Sequence, residues 1–168
     1  FVPNMKTVGT IYSSSEVNSQ LQVDILKKAA AKLGLTVREA TVSTVNDIQQ
    51  AARSLVGKVE GIYIPTDNVL ASAIPTLLSI TDEEKLPVVG GEGSLVEAGC
   101  LGSVGIDYYT LGVQTGLMAA DILNGKAQPA TMAIQGQKDC AAVVNAKALK
   151  LLGLQLPKEF KNAKIVGQ

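Results

Sequence analysis

Short apolar runs rich in valine and isoleucine alternate along this chain with longer stretches whose apolar residues recur every three to four positions. The first pattern is that of a buried strand and the second that of an amphipathic helix, and their alternation predicts an α/β fold with a parallel sheet. Four βα units can be read: strand 6–12 with helix 16–33, strand 36–41 with helix 45–55, strand 61–64 with a helix reaching about residue 82, and strand 86–89. The first helix is expected to show one apolar stripe through Leu21, Ile25, Lys28/Ala29 and Lys32/Leu33 before Gly34 ends it. Pro65 stops the third strand, Asp67 or Asn68 caps the helix behind it, and Pro75 predicts a kink or a late start. Gly90-Gly91-Glu92-Gly93-Ser94 reads as a sharp turn. Beyond it come a strand at 100–106, a helix at 107–123 closed by Gly125, strand candidates at 131–134 and 140–145, and a short helix at 146–152 ending at Gly153. Tyr108, Leu111, Met118 and Ile122 fall on one helical face, and the spacing of Gly112 and Gly116 lets another backbone approach closely.

In an open parallel sheet the ligand crevice lies beyond the carboxyl ends of the strands, where strand order reverses. Four loops therefore hold the candidate chemistry: 13–19, 43–46, 65–68 and 90–94. The richest is Tyr12-Ser13-Ser14-Ser15-Glu16-Val17-Asn18-Ser19, which sets hydroxyls and backbone N–H groups at the start of a long helix. Such a terminus carries about half a positive charge and unsatisfied donors, so it suits a carboxylate or phosphate; a plain Ser/Glu cap without ligand is the alternative.

At 168 residues, with 46% apolar and 18% charged residues, the chain has the size and composition of one globular domain. Fifteen basic residues balance fifteen acidic ones, which removes the electrostatic footprint for nucleic acid or an anionic membrane. No apolar run reaches a membrane span, and residues 1–30 lack the pattern of a signal peptide. Cys100 and Cys140 lack CxxC spacing, and the chain has no histidine, so neither a metal nor another cofactor is expected.

The segments TVGTIYSSSEVNSQ, IYIPTDNVLAS, LPVVGGEGSLVEAGCLGSVGIDYYTLGVQTGLMAADILNG and VVNAKALKLLGLQLP are similar in order and spacing to one family. Together they cover nearly the whole chain. The chain resembles the periplasmic-binding-protein-like substrate-binding components of ABC transporters, in the branch associated with tryptophan and tyrosine. The resemblance implies a three-layer parallel-sheet lobe of a type I periplasmic-binding-protein-like fold and capture of an aromatic amino acid for an ABC permease, without catalysis. It also implies an extracytoplasmic place, periplasmic or as a lipoprotein at the cell surface. Because the chain starts at Phe1 with what looks like the first strand of a second lobe, it is expected to be a C-terminal half lacking most of the first lobe. Residues 1–106 would then form the lobe core, 107–138 a crossover segment packing on the other lobe, and 139–168 a return strand and terminal helix. The surface of the missing lobe would favour a homodimer or a domain swap.

An amino-acid ligand needs donors for its carboxylate, an acid for its ammonium and an apolar slot for its side chain. Ser15, Asn18 and Ser19, with the helix N-terminal amides, are candidates for the carboxylate, and neighbouring Ser14 and Glu16 are further ligand-binding candidates. Asp67, backed by Thr66 and Asn68, is the candidate for the ammonium; a helix cap is its alternative role. The family pattern adds Asp107 and Tyr108, and Asp107 too can be a plain cap. Tyr12 and Tyr109 can line the side-chain slot or belong to the core, and Glu92 reads more readily as a solvated turn residue than as a ligand contact. An enzyme would need a nucleophile–base pair or metal cluster, which the sequence does not offer. A receiver domain would need acids where Tyr12-Ser13-Ser14 stand, and a nucleotide-binding domain a Gly-rich first loop. A repressor core shares the two-lobed fold, but any DNA-binding headpiece would lie ahead of Phe1. The strongest rival is a structural, adhesive or regulatory role for an isolated lobe without ligand.

Overall fold

The computed structural model describes residues 1–137 and 139–168. Strand β1 (Thr7–Ser13) leads into α1 (Val17–Lys32), and β2 (Thr36–Val42) into a 3-10 turn at Val45–Asp47 and α2 (Ile48–Leu55). Strand β3 (Ile62–Ile64) precedes α3 (Asn68–Ala71) and α4 (Ile74–Thr81). Next come β4 (Val88–Gly90), α5 (Gly93–Glu97), β5 (Gly102–Gly105), α6 (Tyr108–Leu123), β6 (Ala141–Asn145), α7 (Ala146–Leu152) and β7 (Lys164–Val166).

The strands form one sheet in the order β2-β1-β3-β4-β5-β6-β7. The first five run parallel, β6 pairs antiparallel with β5, and β7 runs parallel to β6. Helices cover both faces, because side chains alternate along a strand. On one face Gly9 lies so close to Leu55, Val59 and Ile62 that a β-carbon there would sit 3.1–3.3 Å from them. On the other, Tyr63, the sheet neighbour of Thr10, sends its hydroxyl to Gln22 of α1. The parallel three-layer α/β lobe expected from the sequence is therefore present.

The main core lies between the sheet and the helices α2 and α4. Ile11, Ile62, Ile64 and Val88 meet Ile48, Leu55, Ile74 and Leu77, all essentially without exposure. Each such side chain contributes about 1.5–3 kcal/mol on leaving water. The reversed edge is tied in by Asn145, which caps α7 by accepting from Ala148 N (3.0 Å) and donates to the Val96 carbonyl (2.9 Å). Where β4 meets β5, a β-carbon on Gly105 would overlap the Gly91 carbonyl, so only glycine lets the two backbones touch.

Several local expectations are corrected. Helix α1 seats Ser19, Val23 and Ala30, whereas Leu21 and Ile25 are more than half exposed. The narrow, small-residue face fits close to the sheet and leaves the bulkier stripe outside. The helix expected up to residue 82 is two helices, with Pro75 in the first turn of α4, where its missing N–H costs nothing. The 90–94 turn opens directly into α5. Residues 131–134 are irregular, with Ile134 wholly exposed. Helix α6 buries none of its residues: Leu111, Met118 and Ile122 are half-buried, while Tyr109, Val113 and Leu117 stand out to solvent. The expected end of the crossover segment at Lys138 lies outside the described residues.

Candidate functional site

Strand order reverses between β1 and β3, so the loops that follow these two strands face each other at the carboxyl end of the sheet. Asp67 joins them. It is 2% exposed, and its Oδ2 accepts from Ser13 N (2.7 Å) and Ser19 Oγ (2.7 Å) while Oδ1 accepts from Leu70 N (3.0 Å) and caps α3. The capping role left open by the sequence is thus filled by Asp67, and three of its roughly four acceptor directions are in use. Ser19 is fully buried and its hydroxyl is committed to this carboxylate.

A second set of bonds closes the junction from outside. Asn18 Nδ2 donates to the Thr66 carbonyl at 2.7 Å. Glu16 reaches across to α3 and accepts from Asn68 N (3.0 Å), Asn68 Nδ2 (3.0 Å) and Val69 N (3.3 Å). Partial burial opposes ionisation of Glu16, but these donors and Asn18 outweigh it and hold the carboxyl below the ordinary glutamate range. Gln22, which no sequence motif singles out, accepts from Thr66 N (3.0 Å) and from the Tyr63 hydroxyl (3.2 Å). Its signal was positional only: it stands one helical turn beyond Asn18 on the sheet-facing side of α1.

Because the Glu16 side chain at the cap position is drawn to α3, α1 has no capping side chain, and its first turn, Val17-Asn18-Ser19, holds no acid. Its leading N–H groups therefore stay open beside exposed Ser14 and Ser15, whose neighbour Ser13 shares a hydrogen bond with Ser15 Oγ (2.9 Å). An uncapped terminus of a 16-residue helix beside exposed serines offers the donors and the positive potential that an anionic oxygen requires.

The far side of the junction is formed by the turn after β4. A β-carbon on Gly91 would meet Thr66 N at 3.0 Å, so this turn lies against the 65–68 loop. Glu92, expected as a solvated turn residue, is instead 6% exposed; it bridges to Ile106 and accepts from Ser94 Oγ at 2.8 Å. Tyr108 is half exposed, and the desolvation of its covered part, followed by the adjoining Glu92 carboxylate, pushes its phenol up to about 12. Asp107 is exposed and caps α6 by accepting from Thr110 N (2.8 Å); that bond, ahead of others from the same turn, holds its carboxyl below the usual range. The structure thus gathers Ser14, Ser15, Glu16, Asn18, Ser19, Thr66, Asp67 and Asn68 into one cluster, with Tyr108 reaching its margin through Glu92. The 43–46 loop stays at the sheet edge, where Asp47 accepts from Ser43 N and Thr44 N. Tyr12 turns away to Glu39. Two concavities lie away from the strand-order reversal, one of about 980 Å³ beside α4 and α7, lined by Asp82, Glu97, Lys147 and Lys150 among others, and one of about 790 Å³ between α6 and residues 134–137.

A family model described as "ABC transporter substrate binding protein" matches residues 1–164. A tyrosine-binding protein from Clostridioides difficile is 37% identical over 91% of this chain and 44% of its own length. A solved ABC domain in complex with L-Trp from Streptococcus pneumonia is 38% identical at TM-score 0.89, over 98% of this chain and 56% of that one. A substrate binding protein with adhesive properties from Clostridium difficile, solved ligand-free and open, is 43% identical at TM-score 0.80, over 99% and 56%. The chain spans about half the length of the curated relatives it matches, 44% and 48%.

Proposed function

The chain belongs to the family of ABC transporter substrate-binding proteins, and from that premise we propose that it captures a free aromatic L-amino acid, without transforming it, for an ABC importer. The observation that carries this reading is the uncapped start of α1 at the strand-order reversal, with Ser14, Ser15 and Asn18 around it. These groups, Asn18 through its backbone N–H since its side-chain amide is bound to Thr66 and Glu16, receive the ligand carboxylate. Glu16, Ser19, Thr66, Asp67 and Asn68 form the frame that holds the two loops at fixed spacing, and Asp107 and Tyr108 stand on the far wall. The ligand class follows the tyrosine-binding and L-Trp-bound relatives. The described residues supply one wall of a cleft, and we assign the open face of α6 to packing against a second α/β lobe. In the chain alone that face favours pairing or a domain swap. Delivery to a permease, an extracytoplasmic place and a lipid anchor follow the family resemblance.

The adhesive relative supports a second reading, in which the lobe acts as an interaction surface. One experiment separates the two. The chain contains no tryptophan, so fluorescence excited at the red edge of tyrosine absorption reports the ligand alone. Added L-tryptophan should show a saturable rise in anisotropy that L-tyrosine and L-phenylalanine compete away. An anisotropy that stays at the free-ligand value at millimolar protein would remove the amino-acid reading.

A further inference from the structure

Four carboxylates stand at the carboxyl end of the sheet around the junction, and three of them are occupied by the chain itself. Asp67 accepts three bonds, Glu16 accepts from two backbone N–H groups and a side-chain amide, and Asp107 caps α6. Glu92 differs. It is 94% removed from solvent, 6% exposed, and although it stands at the position before α5 its side chain makes no cap to that helix. Among the described residues it enters no ion pair. Its neighbours are the hydroxyls of Ser94 and Tyr108, both on exposed residues.

A carboxylate this far removed from solvent, with neither a cation nor a backbone donor, is unfavourable and calls for a reason. Here the location supplies one. Gly91 touches Thr66, whose carbonyl takes Asn18, and Asn18 stands in the first turn of α1. An acid on one side and open helix amides on the other are the two charge requirements of an α-amino acid, whose ammonium and carboxylate are borne on one carbon.

We infer that the Glu92 carboxylate is the acid that receives the ligand's ammonium group, with the Ser94 hydroxyl orienting it. The inference rests on the amino-acid reading above and moves the ammonium contact from Asp67, which holds the frame, to Glu92. Ligand entry would give Glu92 the cation it lacks and relieve the cost of its burial. It also makes the site selective for molecules with a primary ammonium beside the carboxylate.

The test is a cycle of one substitution and one ligand change, read by calorimetry or ligand fluorescence on the whole chain. Glu92→Gln keeps side-chain size and removes the charge; indole-3-propionate keeps the carboxylate and ring of tryptophan and lacks the ammonium. In the unaltered chain L-tryptophan should bind about ten- to a hundredfold more tightly than the analogue. In Glu92→Gln that preference should vanish. A variant that still prefers L-tryptophan by the same factor overturns the inference and leaves the amino-acid reading standing. If the unaltered chain binds neither molecule, the amino-acid reading itself fails. Should Glu92→Gln not fold, the glutamate side-chain carboxyl signals of the unaltered chain decide by NMR. L-Tryptophan must then shift one signal that the analogue leaves in place, and equal responses to the two ligands overturn the inference.

Discussion

Replacing Asp67 with alanine should cost the fold more than any other single change at the site. The carboxylate holds Ser13 N, Ser19 Oγ and Leu70 N in a buried position, and the substitution strands two backbone N–H groups and a hydroxyl. Each bond to an ionised acceptor is worth about 1.5–3 kcal/mol net, and loss of a cap alone costs about 1 kcal/mol. These terms share one carboxylate and are offset by its relieved desolvation, so the expected loss is about 3–5 kcal/mol rather than their sum. Against a typical total of about 5–15 kcal/mol, that is a large share. Urea unfolding followed by far-UV circular dichroism would read it as a midpoint lowered by about 2 M, taking a slope near 2 kcal/mol/M. Asp67→Asn, which keeps one acceptor, should lie between. A loss below about 1 kcal/mol for the alanine variant would refute the assignment of Asp67 to the frame.

Three further outcomes are expected. The Glu16 carboxyl is lowered in the folded chain, so its contribution is present above the ordinary value of 4.5 and lost as pH falls through the lower folded value; the stability gap between the chain and Glu16→Gln should therefore close on acidification, and a constant gap in thermal melts across that window would contradict it. Burial, with Asp82 nearby, pushes the Cys100 thiol up to about 12 while Cys140 is exposed, so a thiol reagent should label Cys140 in the native chain and Cys100 only with denaturant, as mass spectrometry of peptides would show. Light scattering should find a mass that rises with concentration and falls back to one chain in Leu117→Glu, since Leu117 is 65% exposed on α6; a single-chain mass at all concentrations would dismiss α6 as a pairing surface.

The repeating strand and helix signals were legible wherever the pattern was long or punctuated. Strand β1 and its helix, the stop at Pro65 and the Asp67 cap follow from alternation, proline geometry and the preference of aspartate for caps. The short elements α5, of five residues, and β7, of three, were not legible, whereas the equally short β3 and β4 were marked by Pro65 and by Gly90-Gly91 behind them. The buried face of α1 differs from the one its apolar bulk suggests, because Leu21 and Ile25 outweigh Val23 and Ala30 while only the smaller pair fits against the sheet. The cluster of 13–19 with 65–68 was visible in the sequence, since both loops end neighbouring strands. The burial of Glu92 was not, because it depends on Gly91 and Gly105 meeting across two strands, a contact that no local pattern encodes.

The reversal of direction between β5 and β6 also decides how the molecule can be held. With β6 and β7 running against the first five strands, the chain comes back to the amino-terminal base of the sheet, where the Phe1 ring stacks on Phe160 at 5.1 Å between centroids. Phe1 and the segment after β7 thus leave from the same end, opposite the Ser14–Asn68 junction. A tether, fusion or sensor surface attached at either one would leave the Ser14–Asn68 junction facing outward, with the whole height of the sheet between it and the anchor.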